Sequence, residues 1–343
     1  MSDRSALTSS VNHNIQRHKA SMMNSKITSI VAAVGLFAAA ASNAAYPEKP
    51  IRLIVPFAAG GPTDVVARSL ADSMSRALGK TVFVENKAGA GGGVGTGQLV
   101  RAPADGYTLA VAAVSTHVVN PVCNSNAGYD PVNDFTPIAQ VADMPMVWVM
   151  QPSMPEKDFK DVVETAKKEP AQLTQGTPGI CSLGHMIVEK INHRLGTKIR
   201  NVPYQGSAPA VTDFMGKNLS LMFDVEQLII PLITTNKAKP IAVMWPSRLK
   251  SLPNVPTLDE LGYKDLNMRP WYGIVAPKGL PAEITKTLVD AVATAMEDPK
   301  LRTQFSSAGM SPITGVNGAD FAKKIKFEYE DTKAFAAKVQ LTK

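Results

Sequence analysis

The 343-residue chain carries a formal net charge of +7, is 45% hydrophobic and 6% aromatic, and contains two cysteines. Its Lys and Arg residues are scattered among Asp and Glu without a dense basic block, which argues against a nucleic-acid footprint. A chain of this length exceeds what one hydrophobic core ordinarily serves, so two domains are expected.

From Met22 onward the residues follow the order of a secretory signal. Lys26 supplies charge, Ile30 to Ala41 supplies an apolar run too short for a span of roughly 20 residues, and Ser42-Asn43-Ala44 fits a small-x-small cleavage site. Segment 1–44 is therefore expected to be a leader and signal peptide that is removed, leaving Ala45 or Tyr46 as the first residue; Met1, Met22 or Met23 is the start. A membrane anchor or a buried helix is the alternative for the run. Without Arg4, Arg17, Lys19, Lys26 and Asp3 the net charge falls to about +4. Export leads to an oxidising compartment, where Cys123 and Cys181 form either one bridge or two separate buried thiols.

The first structural run is the β-branched strand Ile51 to Phe57, followed by turn residues and a helix from Asp64 to Leu78 with Val66, Leu70 and Met74 on one face. A strand at Thr81 to Glu85, a glycine-rich stretch, a helix near Val94 to Arg101 and an apolar strand at Tyr107 to Val114 come next. This alternation implies a parallel sheet covered by helices. It begins again with strand Val147 to Met150, helix Phe159 to Lys168, strand Leu173 to Gln175 and a second glycine turn. After that turn, a helix marked by Ile187, Ile191 and Leu195 precedes strand Ile199 to Tyr204, helix Ala208 to Met215, strand Leu219 to Phe223, helix Leu228 to Thr234 and strand Ile241 to Met244. Strand Tyr272 to Ala276 and helices near 282–297, 300–308 and 319–339 complete the chain, the last helices returning to the first lobe.

Two places combine a strand end, a turn rich in Gly or Pro and a helix start: Pro56 to Asp64 and Gly176 to His185. Backbone N–H groups at such termini lack helical partners and carry partial positive charge, so they hold a carboxylate without a cationic side chain. Both turns belong beyond the carboxyl ends of strands, where open α/β sheets bind ligands. Either turn alone reads equally as an ordinary connection.

The motif order resembles the periplasmic Bug-type receptors of tripartite tricarboxylate transporters, from about Tyr46 to the C-terminus. The motifs are Tyr46-Pro47-x-Lys49-Pro50-Ile51, PFAAGGPTD at 56–64, Glu85-Asn86 with the glycine run at 89–97, and Pro103-Ala-Asp-Gly-Tyr-Thr108. Tyr129-Asp-Pro131, Asp134-Phe135-x-Pro137-Ile138, Val202-Pro-Tyr204-x-Gly206, Pro256-Thr257-x-x-Glu260-x-Gly262 and Trp271-Tyr-Gly273 complete them. The resemblance implies an α/β, type II periplasmic-binding-protein fold whose two α/β lobes are joined by crossing strands, with a ligand cleft between them. Lobe 1 is expected at 45–146 and 266–343, and lobe 2 at 147–265. By position, Phe57, Ala59, Gly61, Thr63 and Asp64 are the ligand-binding candidates of the first turn, and Thr177, Gly179 and Ser182 those of the second. Ser115, Thr116, His117 and Asp224 are expected to border the cleft. The family more often has Gly at Cys181. From their placement near the cleft, a bridge between Cys123 and Cys181 would link or stiffen the lobes.

Rival readings fail on spacing. No frame of Gly89 to Gly97 satisfies G-x-G-x-x-G, since Val94 or Thr96 falls where the last glycine belongs, and Gly79-Lys80-Thr81 lacks the P-loop glycine at Met74. Ser182 lacks the G-x-S-x-G frame because Ile180 stands at its first glycine. Cys181 and His185 are spaced to share a helix face as a thiol-imidazole pair or as two metal ligands, but H-E-x-x-H is missing and a locally bonded His is the simpler account. Trp148, Trp245, Trp271 and Tyr272 are read as packing residues in preference to a platform for an aromatic ligand. The expectation is an exported, monomeric receptor without enzymatic activity, metal or cofactor. It captures a small carboxylate (an organic acid, an aromatic acid or an acidic amino acid) by lobe closure and presents it to a membrane permease or a sensor protein. An exported hydrolase using Cys181 or Ser182 and an interaction module with a vestigial cleft are the alternatives.

Overall fold

The apolar run Ile51–Val55 forms β1, paired in parallel with β2 (Val82–Asn86) on one side and β3 (Thr108–Ala113) on the other. The computed structural model describes residues 46–168, 172–315 and 317–339; the leader, its cleavage site and the candidate start residues lie outside them. Parallel pairing requires crossovers, and α1 (Pro62–Leu78) and α2 (Gly93–Val100) supply them. α1 opens on Pro62, which has no N–H to leave unbonded in a first turn, and stops at Gly79, whose φ of 65° suits glycine. Its Val66, Leu70 and Met74 are fully buried.

The sheet is not wholly parallel. β10 (Trp271–Pro277) lies beside β3 and runs antiparallel to it, and β4 (Phe135–Asp143) and β11 (Ser311–Pro312) extend the sheet outward to give the order β11-β4-β10-β3-β1-β2. β4 was not expected because Pro137 breaks its strand pattern. Proline is tolerated there because β11 pairs only with Ala142 and Asp143, so the flank of the strand at Pro137 has no ladder partner in β11.

The second sheet has the order β7-β6-β8-β5-β9, built from β5 (Met146–Met150), β6 (Thr174–Thr177), β7 (Arg200–Pro203), β8 (Leu221–Val225) and β9 (Lys239–Met244). Around it lie α4 (Phe159–Lys168), α5 (Leu183–Leu195), α6 (Ser207–Met215) and α7 (Glu226–Thr234). All of β5 is buried, and its period of two divides it between cores. Val147 and Val149 pack with Met222, Val243 and Phe214, whereas Met146, Trp148 and Met150 join the core that includes β1 and β3.

The chain passes between the sheets twice, at Met144-Pro145 between β4 and β5 and along 245–270 between β9 and β10. The passages are linked, the Met144 N–H donating to the Pro270 carbonyl at 3.0 Å. α8 (Ala282–Glu297) packs on α1 and β4, α9 (Pro299–Ser307) on α1 and α8, and α10 (Gly318–Val339) on β4. Two α/β lobes with a mixed sheet in each result.

Candidate functional site

Beyond the end of β1, the turn Pro56–Gly61 is held from behind. Asp64 accepts hydrogen bonds from the Gly60 N–H (3.0 Å), Arg68 Nε (2.9 Å) and Asn86 Nδ2 (2.9 Å), and Asn86 Nδ2 also donates to the Phe57 carbonyl (3.0 Å). Burial pushes the Asp64 pKa upward, but the bonds from Arg68, Gly60 and Asn86 outweigh it and hold the carboxyl below its ordinary value. A lowered folded pKa stabilises the protein above the unfolded value and loses that contribution as pH falls through the folded one. Asp64→Asn is therefore expected to destabilise the protein by about 1–2 kcal/mol at neutral pH, a difference that closes in acid. Urea denaturation midpoints of the two proteins across a pH series check this.

The second turn links β6 to α5. Ser182 caps α5, its Oγ donating to the Gly179 carbonyl at 2.7 Å and accepting the His185 N–H at 3.3 Å. His185 Nδ1 accepts the Cys181 N–H at 3.1 Å, the local bond of a helix-start histidine. Cys181 is joined to Cys123 as a disulfide with Cα atoms 5.6 Å apart, so neither sulfur is a thiolate for nucleophilic attack or metal binding. Ser182 Oγ meets backbone groups in place of a base, and the requirements of a hydrolase are not assembled there.

The turns face each other across the gap between the sheets. The Ala58 N–H donates to the Gln205 carbonyl at 3.2 Å and the Leu183 N–H to Ser115 Oγ at 2.9 Å. The glycine run meets the second turn so closely that a Cβ on Gly91 would lie 2.2 Å from the Ile180 carbonyl oxygen. Cys123 ends the short helix α3 (Asn120–Cys123), so the disulfide joins the segment after β3 to the turn after β6.

Between these contacts lies a cavity of about 50 Å³. Gly61, Pro62 and Thr63 from the start of α1 line it, with Leu183 and Gly184 from α5, Ser207 from α6 and Val225, which precedes α7. The starts of four helices thus meet at one small volume, where their dipoles place partial positive charge. Phe57, Met146, Phe223 and Tyr272 supply apolar walls, and among the described lining residues none is Lys, Arg or His. Asp224, at the end of β8, is also in the lining; its Oδ1 accepts the Val225 N–H at 2.8 Å, and burial raises its pKa to about 6.

Of the residues singled out in the sequence, Phe57, Gly61, Thr63, Ser115 and Asp224 line this cavity. Ala59 and Asp64 belong to the first turn but not to the lining, Asp64 being engaged with the turn itself. Thr177 hydrogen-bonds Asn201 Oδ1 at 2.6 Å, and Gly179 and Ser182 shape the second turn without lining the cavity. Thr116 and His117 are turned into the core: Thr116 Oγ1 bonds Ala113 and lies 2.9 Å from His117 Nδ1. The His117 ring packs 4.5 Å from that of Phe135, and burial lowers its pKa to about 3. Ser207 and Tyr272 were not assigned to the cleft. Both lie in or directly beside recognised motifs, VPYQG and WYG, and their adjacency to Gly61 of the first turn and to β3 was the missing information. Trp148 and Trp271 are buried packing residues, bonded to Gln175 at 2.9 Å and Glu328 at 2.6 Å.

Residues 66–341 match the model of the tripartite tricarboxylate transporter family receptor. The solved structure of the periplasmic binding protein BugD is 37% identical, covers 87% of this chain and 99% of its own, and superposes with a TM-score of 0.82. MatC of Rhodopseudomonas palustris, solved with bound malate, is 27% identical with a TM-score of 0.81, covering 84% of this chain and 99% of its own. An R. palustris protein solved with adipate is 29% identical with a TM-score of 0.80, covering 86% and 98%. The chain belongs to the tripartite tricarboxylate transporter receptor family and is a Bug-type periplasmic solute-binding receptor.

Proposed function

We propose that this receptor captures a small carboxylate between its lobes and hands it on unchanged. The observation that carries the reading is the convergence of four helix N-termini on one cavity with no basic side chain among its described lining residues. Such a site attracts a single anionic group through backbone N–H donors and leaves the remainder of the ligand to apolar walls. The relatives solved with malate and with adipate support it, since those ligands share terminal carboxylates and little else.

In this reading Gly61 and Thr63 meet the carboxylate from the first lobe, and the start of α5 meets it from the second. Phe57 covers the ligand. Ala59, Thr177, Gly179 and Ser182 set the two turns in shape. The moving bodies are 45–146 with 266–343, and 147–265, turning about Met144-Pro145 and the strand entry at Pro270. Ligand contacts on both lobes favour the closed form. The closed receptor, as a monomer, then presents its ligand to a membrane permease or sensor. No conversion is assigned to the site, because Cys181 is in a disulfide and Ser182 lacks a base.

Thermal denaturation against a panel of mono-, di- and tricarboxylates, aromatic acids and acidic amino acids tests the proposal. A cognate acid at a hundredfold excess over Kd stabilises a binder by about 2.7 kcal/mol. Indifference to every acid on the panel would remove the reading in favour of an interaction module.

A further inference from the structure

Asp224 and Tyr272 are the titratable side chains among the described lining residues of the cavity. Asp224 is fully enclosed, with Val147 opposite it in β5 and its carboxyl bonded by the Val225 N–H and by Ser207. The charged groups of the neighbouring elements have partners of their own. Asp64 of α1 is bonded by Arg68, Gly60 and Asn86, Asp213 of α6 by Tyr204 and Asn218, and Glu226 of α7 by Ser251. On β10, Tyr272 stays a neutral phenol, since burial and the nearby Asp224 both raise its pKa.

A carboxylate admitted to a volume of about 50 Å³ comes within a few ångströms of Asp224. Two like charges in a closed, water-poor space disfavour each other strongly unless one is neutralised. Among the described lining residues none is basic, and the Val225 N–H before α7 is already engaged by Asp224 itself.

Resting on the proposed function, we infer that Asp224 takes up one proton from solvent as the cavity closes on a carboxylate, so that capture is proton-coupled and Asp224 selects against ligands held at alkaline pH. The proton resides on a carboxyl oxygen of Asp224 and returns to solvent on release. An Asp224 pKa of about 6 in the unliganded protein leaves the residue mostly ionised near neutrality, in position to respond.

Calorimetric titration with malate and adipate as probes tests this, since both acids are fully ionised above about pH 6.5. The wild type is expected to lose affinity by about tenfold between roughly pH 6.5 and 7.5, the slope of one coupled proton. Heats measured in buffers of different ionisation enthalpy count that proton in the wild type itself. Asp224→Asn is expected to bind with a flat pH profile, more tightly than wild type at the upper end. A flat wild-type profile overturns the inference. So does affinity that rises with pH, the signature of a ligand cation pairing with ionised Asp224. Absence of binding by any panel acid at any pH instead removes the carboxylate reading itself. Stability without ligand supplies an independent readout. Because the folded pKa of Asp224 is raised, its stabilising contribution is complete below the unfolded value and is lost as pH rises through the folded one, so Asp224→Asn should gain on wild type between about pH 4 and 6.5. A constant difference across that range would contradict the inference even with no ligand identified.

Discussion

Removing the Cys123–Cys181 bridge is expected to cost the protein about 4 kcal/mol and to speed the exchange of ligand. The cysteines are 58 residues apart in sequence, and closing a loop of that size in the unfolded chain accounts for the estimate through chain entropy. The effect on exchange follows from where the bridge lies, between the segment after β3 and the turn after β6, which are the two sides of the proposed cleft. A covalent tie there limits how far the sides part, so the double variant Cys123→Ser, Cys181→Ser is expected to release ligand faster. Cys181 adds a second term: its φ of 57° is a left-handed conformation that costs a side-chain-bearing residue roughly 1–2 kcal/mol. Pairing Cys123→Ser with Cys181→Gly should therefore recover about 1 kcal/mol relative to the double serine variant. Urea denaturation with and without reductant checks the first value. An unchanged midpoint on reduction would show that the bridge does not constrain the chain.

Gly91→Ala is expected to weaken ligand binding by about tenfold or more, equivalent to roughly 1.4 kcal/mol. A Cβ at this position would stand 2.2 Å from the Ile180 carbonyl oxygen and 2.9 Å from the carbonyl carbon and oxygen of Cys181, all backbone atoms of a turn pinned by the disulfide. Because no rotamer change relieves that overlap, the glycine run and the second turn must separate, and with them the sides of the cleft. The φ of 63° at Gly91 adds the usual left-handed penalty. Gly79→Ala isolates that penalty, since its φ is 65° but nothing lies within 4 Å of its added Cβ. Stability losses of about 1 kcal/mol are expected for Gly79→Ala and about 2–4 kcal/mol for Gly91→Ala, with ligand affinity changed only in the latter. Equal affinities in the two variants would mean that this close approach plays no part in binding.

Much of the fold was legible because its signals are local. The β-branched run at Ile51, the i+4 apolar residues of α1 and the apolar strand before Ser115 each report on their own backbone. β4 escaped because Pro137 spoils its pattern, and only the gap beside β11 makes that proline harmless. The antiparallel direction of β10 was equally hidden, since it depends on a strand more than 150 residues after its neighbour β3. In the site, glycine and proline marked the turns but not which side chains enter the cavity. After β3 the chain coils at once into a turn of π-helix, Ser115–Val119, so consecutive residues point in different directions: Ser115 reaches the cavity while Thr116 and His117 enter the core. Asp64 carries the chemistry of a ligand contact, but hydrogen bonds from Gly60, Arg68 and Asn86 consume it. Ser207 and Tyr272 come to the cavity by tertiary contact alone.

A carboxylate held in the proposed cleft should leave it chemically intact. Carbon-13 NMR of a labelled acid that stabilises the receptor, titrated with substoichiometric and then excess protein, addresses binding and chemistry in one sample. The expected result is a carboxyl resonance that shifts or broadens to saturation at one equivalent, disappears as a bound signal on competition with unlabelled acid, and is recovered unaltered after denaturation. New carbon resonances that grow with time, or a carboxyl signal indifferent to the protein, would contradict it.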